Sequence, residues 1–118
     1  MGFDLTIYFG QITMGREILG TSKFLMDRDE SLFKALGLTG APLINIAKFA
    51  PMDALTFNAE SGRVTVREDG YGAGLTYTTS PAFKDSIKEH IDLPGWNLRA
   101  IEFIQAIPAN IPIVFYWH

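Results

Sequence analysis

His90 and His118 are the chain's only imidazoles, and there is no cysteine. Without cysteine there is no thiolate metal site, disulfide framework or cysteine nucleophile. His90 and Asp92 stand two apart in "HID". One imidazole and one carboxylate are too few to hold zinc. His90 falls beside the apolar face of a predicted helix and near its C-terminus, where an imidazolium is favoured by the helix dipole. His118 is the last residue of the sequence, a place where a general base is hard to hold rigidly. Ser22, Ser31, Ser61, Ser80 and Ser86 all have turn, cap or helix-surface roles, and no G-x-S-x-G elbow occurs. Carboxylate pairs for glycoside chemistry cannot be matched from spacing alone. No catalytic residue, metal ligand or cofactor is therefore assigned, and the reading leans away from an enzyme. Were there a pocket chemistry, His90, His118, Asp92 and Tyr77 would be its first candidates.

Three features could instead meet a partner. The first is "GYGAG" (70–74), preceded by Glu68 and Asp69. It joins two predicted strands and not a strand to a helix, and its acids would repel phosphate, so it is not a phosphate cradle. It reads as a hairpin loop that displays Tyr71, a common recognition arrangement. The second is "DRDE" (27–30). Capping of the following helix accounts for Asp27, Asp29 and Glu30, and an acidic patch for a basic partner is the other reading. The third is Tyr8 with Tyr116. Both fall on the even-numbered faces of strands whose odd positions are apolar, so neighbouring strands would expose both rings as one aromatic surface.

Those residues need elements to carry them. "FDLTIYF" (3–9) alternates, with Phe3, Leu5, Ile7 and Phe9 on one face and Asp4, Thr6 and Tyr8 on the other. "GQITMGREILG" is punctuated by Gly10, Gly15 and Gly20 and reads as a hairpin or loose connection. A short strand follows in "TSKFLMD". "DRDESLFKALG" is a helix with the stripe Leu32, Phe33 and Leu36 and with Gly37 as its C-terminal cap. Residues 41–50 fit a helix or an extended segment. "ALTFN" (54–58), "RVTVR" (63–67) and "LTYTT" (75–79) predict a three-stranded antiparallel meander with one polar face. Ser80 and Pro81 then start a helix as N-cap and first-turn proline. A second helix runs from Trp96 to about Ile107 and places Trp96, Ala100, Phe103, Ile104 and Ile107 toward the core. "IPIVFYWH" closes the sequence as a strand with Ile111, Ile113, Phe115 and Trp117 inward.

The 118 residues carry 47% hydrophobic and 19% charged side chains, enough for one folded domain over 1–118. The net charge is −3 and the basic residues are scattered, so no nucleic-acid footprint is visible. No apolar run reaches membrane-span length and the start lacks a basic leader, which leads us to expect a cytoplasmic protein with no membrane partner.

The expected fold is α+β: one largely antiparallel sheet of five to six strands, two to three helices on one face, and the first and last strands adjacent. The expected function is a small protein-binding module that inhibits or neutralises another protein. A toxin-immunity protein (antitoxin) or a phage-borne inhibitor of a host defence system is its concrete form. Its contact residues would be Tyr71, Asp69, Glu68, Tyr8, Tyr116, Asp27, Asp29 and Glu30. Two alternatives remain: a self-assembling structural subunit such as a homodimer, and a small-ligand binder or enzyme with a pocket between sheet and helices.

Overall fold

The computed structural model describes residues 4–14, 17–29, 32, 50–72, 74–87 and 95–118. They form an α+β domain. Its strands are β1 (Leu5–Met14), β2 (Glu17–Leu25), β3 (Ala50–Pro51), β4 (Ala54–Ala59), β5 (Gly62–Val66), β6 (Thr76–Thr78) and β7 (Ile113–Trp117). Between β6 and β7 lie two helices, α1 (Ser80–Ile87) and α2 (Gly95–Gln105). The strands make one sheet in the order β3-β6-β7-β1-β2-β4-β5. Six strands are three residues or longer, and the two-residue β3 extends one edge.

The sheet is mixed, which corrects the expectation of a largely antiparallel one. β2 and β4 run parallel, with Glu17↔Ala54 through Gly20↔Phe57 in register. The predicted meander is also redrawn. β4 and β5 pair as a hairpin, Leu55↔Val66 to Ala59↔Gly62. β6 pairs β7 and β3 instead of β5. Alternation identifies a strand and its inward face, but it does not name the neighbour. The first and last strands pair antiparallel, from Leu5↔Trp117 to Phe9↔Ile113.

The strand order requires the sheet to curl. Only Met52 and Asp53 separate β3 from β4, yet four strands lie between them in the sheet. A flat sheet would hold them about 24 Å apart at about 4.8 Å per strand. The Pro51-to-Ala54 link spans at most about 11 Å at about 3.8 Å per residue. The edges must therefore swing toward each other, as in a barrel. The hydrogen bond from Met52 N–H to Leu75 O, 3.2 Å, ties this short link to the start of β6.

Curling gives the sheet two cores. On the convex side, Leu5, Ile7, Ile113, Phe115 and Trp117 receive Phe83 and Ile87 from α1 and Ala100, Ile101 and Ile104 from α2. On the concave side, Tyr8, Ile18, Met52, Leu55, Leu75 and Val114 pack against one another. β1 and β7 are thus buried on both faces. The even face of β1, expected to meet water, carries Thr6 at 7% and Tyr8 at 6% exposure.

Two β-bulges adjust β1 and β2. Between Phe9↔Ser22 and Gly10↔Gly20 the register slips by one, leaving Thr21 extra on β2. The slip flips the parity of β2. Ile18 and Gly20 face the concave side before it, and Lys23 and Leu25 after it. Gly10 is obligatory here, because a Cβ would sit 1.8 Å from the Leu19 carbonyl oxygen.

The helices depart from expectation in three details. The Ser80 hydroxyl does not cap α1; it donates to Ile107 O at 2.7 Å and ties the start of α1 to the turn after α2. The buried stripe of α2 includes Asn97, Ala100, Ile101 and Ile104. Trp96 and Phe103, expected in the core, lie on the flank of that stripe and are 44% and 54% exposed. Most of the predicted 27–37 helix, residues 41–49 of the ambiguous 41–50 segment, Glu30, His90 and Asp92 lie outside the described residues; Ala50, the last of that segment, is extended in β3. Of that helix, Leu32 is helical and its N–H donates to Asp29 Oδ1 at 3.0 Å, the N-cap bond assigned to an aspartate there.

Candidate functional site

β1 and β2 carry two distinct surfaces on their opposite faces. The concave face opens at one end as a mouth. Cross-strand register sets its side chains: Thr6 lies between Leu25 and Tyr116, and Tyr8 lies between Lys23 and Val114. Thr6, Tyr8, Lys23, Leu25, Tyr116 and His118 line a pocket of about 540 Å³.

Several bonds fix this mouth. His118 Nε2 lies 2.8 Å from Thr6 Oγ1. The backbones of Asp4 and His118 exchange N–H···O bonds of 2.8 and 2.9 Å. The rings of Tyr8 and Tyr116 meet edge to face at 6.3 Å, and Tyr116 and His118 are 5.8 Å apart. Burial, and then the neighbouring Tyr116, raises the Tyr8 phenol above its ordinary pKa. On the rim, Arg28 donates from Nε to Asp4 Oδ1 at 2.7 Å and from its second nitrogen to Oδ2 at 3.1 Å. Chiefly through that bond, the Asp4 carboxyl titrates below the usual range.

The "GYGAG" loop is stapled to this end instead of standing free. Asp69 is buried, and its Oδ1 accepts the Tyr71 N–H at 2.8 Å. Gly70 N–H donates to Trp117 O at 2.8 Å, and the Tyr71 hydroxyl donates to His118 O at 2.7 Å. The Tyr71 ring remains exposed, as does Glu68. The fold therefore gathers Tyr71, Asp69, Tyr8 and Tyr116 near His118. It buries Tyr8 and Asp69 where the sequence suggested display.

The convex face offers the second surface, an aromatic ledge. Phe24 of β2 stands between Trp96 and Phe103 of α2, with ring centroids 5.5 and 5.3 Å away. Phe9 of β1 closes the group, 5.5 Å from Phe24 and 5.8 Å from Phe103. Beside it an apolar cleft of about 300 Å³ runs between Phe9, Phe103 and Ile111. The Trp96 indole N–H donates to Leu25 O at 2.7 Å, which holds the exposed ring in place. Next to it, Asn97 clasps the Asp27 backbone through both its amide atoms, at 2.7 and 2.8 Å. Exposed Asp27 therefore borders the ledge, while Arg28 points to the mouth.

Sequence reasoning missed Thr6, Lys23, Phe9 and Phe24 as surface-forming residues. The signal for Lys23 was the Gly20-Thr21 break in alternation. Phe9 and Phe24 carried no such signal, because each reads as an ordinary inward strand residue. Among the described residues, no cluster of three or more metal-ligating side chains occurs and no helix is long and apolar enough to cross a membrane. No protein-family model matches the chain, and neither a curated protein nor a solved structure matches it.

Proposed function

We propose that this chain is a protein-binding module that acts by occupying another protein, and that the aromatic ledge is its contact surface. A toxin-neutralising immunity protein or a phage-borne inhibitor of a host defence is the concrete form this reading takes. The observation that carries the reading is the packed group Phe9, Phe24, Trp96 and Phe103, whose two α2 members are about half exposed. Rigid aromatic anchors with an apolar pocket beside them are the features that concentrate binding energy in protein interfaces. Asp27 at its border favours a partner whose rim is basic. Tyr71 and Glu68, on the loop tied to His118, would then belong to a second contact or to none.

The test compares wild type with Phe103→Ser. Phe103 is exposed, so the variant should keep its fold by circular dichroism. Tagged wild type should retain one partner at defined stoichiometry from its source cells, and the variant should lose it. Equal retention by both would remove the ledge from the proposal. A wild-type mass that doubles with concentration and reverts in Phe103→Ser would assign the ledge to self-assembly.

A further inference from the structure

From the register and charge of β5 we infer that the sheet takes up an extended, acidic segment of a partner protein as an added strand. β5 stands at one end of the strand order, and among the described residues nothing pairs with its outer edge. Ala59 and Gly62 close a two-residue turn and so form a hydrogen-bonded pair. Alternation along the ladder then turns the N–H and C=O groups of Arg63 and Thr65 away from β4, toward that edge. Arg63, Thr65 and Arg67 are exposed, while Val64 and Val66 between them are half-buried. An open edge of this kind is a template for another strand.

Charge selects what is added. The edge reads Arg-Val-Thr-Val-Arg (63–67), the same in both directions. A second copy docked antiparallel about Thr65 would set Arg63 opposite Arg67 of the other copy, and like charges directly opposite are destabilising. The same register with a carboxylate at each end is favourable, because the guanidinium fork matches a carboxylate. Elsewhere the chain uses arginine in this way: Arg28 pairs with Asp4, and Arg99 with Glu102. Arg63 and Arg67 have no ion pair or side-chain hydrogen bond among the described residues. Glu60 in the turn and Glu68, bridged to Gly74, lie beyond the two arginines and confine the acidic contacts to those two positions. Val64 and Val66 share the concave side with their ladder partners Phe57 and Leu55, so apolar residues at the alternate positions of the added strand extend that core.

The experiment follows amide chemical shifts of the full chain as the capped peptide Glu-Val-Thr-Val-Glu is added. Saturable shifts are expected from Arg63 to Arg67, and the capped peptide Lys-Val-Thr-Val-Lys should produce none. Arg63→Gln combined with Arg67→Gln should weaken binding about fivefold, the size expected for two exposed ion pairs. Thr65→Pro removes an outward N–H and no bond to β4, so it should abolish binding while shifts outside β5 show the fold retained. If that variant does not fold, the glutamine pair decides. The absence of saturable shifts in β5, equal shifts with the lysine peptide, or an affinity unchanged in the glutamine pair would overturn the site. A wild-type dimer that the glutamine pair strengthens would overturn it too, by giving the edge to a second copy. None of these results bears on the ledge, because no ledge residue lies on β4 or β5.

Discussion

The mouth and the ledge share strands β1 and β2, the mouth adding β7 and the ledge α2, yet they are held by different forces. At the mouth, side chains and backbone are locked by directional bonds: Thr6 to His118, Tyr71 to His118, Asp4 to Arg28. At the ledge, the four rings touch one another at 5.3–5.8 Å, and one hydrogen bond, from Trp96, anchors them. The difference follows from what lies behind each surface. The mouth closes the end of a curled sheet, where strand ends leave backbone groups that must find partners. At the ledge Phe9 and Phe24 pack against the core, while Trp96 and Phe103 overhang it about half exposed. Surplus exposed apolar area is what an interface needs. The polar groups of the mouth hold the strand ends to one another.

That contrast is broken most severely by removing what the two regions rest on. Deleting Phe115 to His118 takes away Phe115 and Trp117, both buried against the helices. It also removes the β7 end that closes the mouth. Loss of each large buried aromatic costs about 3–5 kcal/mol, so the truncated chain should be unfolded by circular dichroism and lack a cooperative urea transition. A truncated form that unfolds cooperatively would refute the placement of the last strand at the centre of the sheet.

The next largest effect is expected at the bulge. In Gly10→Ala the added methyl meets the Leu19 carbonyl at 1.8 Å, and the obstacle is backbone. Strand β2 must shift, at a cost on the order of 3 kcal/mol. Because the bulge sets the parity of Lys23 and Phe24 together, amide shifts should move on both faces. Shifts confined to one face would show that the two surfaces are set independently.

Replacing Phe83 and Phe103 separately sharpens the comparison within one residue type. Phe83 is fully buried, and Phe83→Ala should lower unfolding free energy by about 3–5 kcal/mol. Phe103 projects from the ledge, and Phe103→Ser should cost about 1 kcal/mol or less. Comparable losses in urea denaturation would mean that the ledge is part of the core.

Much of this fold was legible in the sequence, and the losses have particular causes. The inward sets Leu5, Ile7, Ile113, Phe115 and Trp117 were readable because a period of two marks one buried face. The second core was not. Tyr8 shares its face with Asp4 and Thr6, a set that reads as wet, and periodicity could not distinguish a wet face from the inside of a curl. The curl itself comes from the two-residue link between β3 and β4, which matters only once strand order is known. On the candidate sites, Tyr71, Asp69 and Tyr116 were brought near His118 by hydrogen bonds from loop to strand end that no spacing encodes. Trp96 and Phe103 were read as core because they lie seven residues apart on one side of a helix. The helix in fact buries the neighbouring stripe through Asn97, whose amide needs the Asp27 backbone.

Thr78 tests the helix-covered side in the opposite direction. Its Oγ1 is buried with no hydrogen-bond partner, on the face of β6 that pairs beside Ile113 and Phe115. A buried unpaired hydroxyl costs about 1–3 kcal/mol, and valine has nearly the same shape without the polar atom. Thr78→Val should therefore raise the urea midpoint at unchanged slope, a gain of about 1 kcal/mol. A loss of stability would show that the hydroxyl has a partner in solution.

The smallest expected effect lies on the mouth's rim, at Asp4. Its carboxyl titrates below the ordinary range mainly because Arg28 donates to it. A depressed native pKa means that the unfolded chain binds the proton first as pH falls. The stabilisation is therefore complete above the unfolded value, near pH 4, and fades as pH drops through the lower native value. Asp4→Asn should leave a shallower loss of stability below about pH 4 and little change at pH 7, because the pair is exposed and screened by salt. Urea midpoints measured across that range, at low and high salt, decide it. An acid profile identical to wild type would show that the Arg28 bond does not persist in water. The rim would then be held only by the backbone pairing of Asp4 with His118.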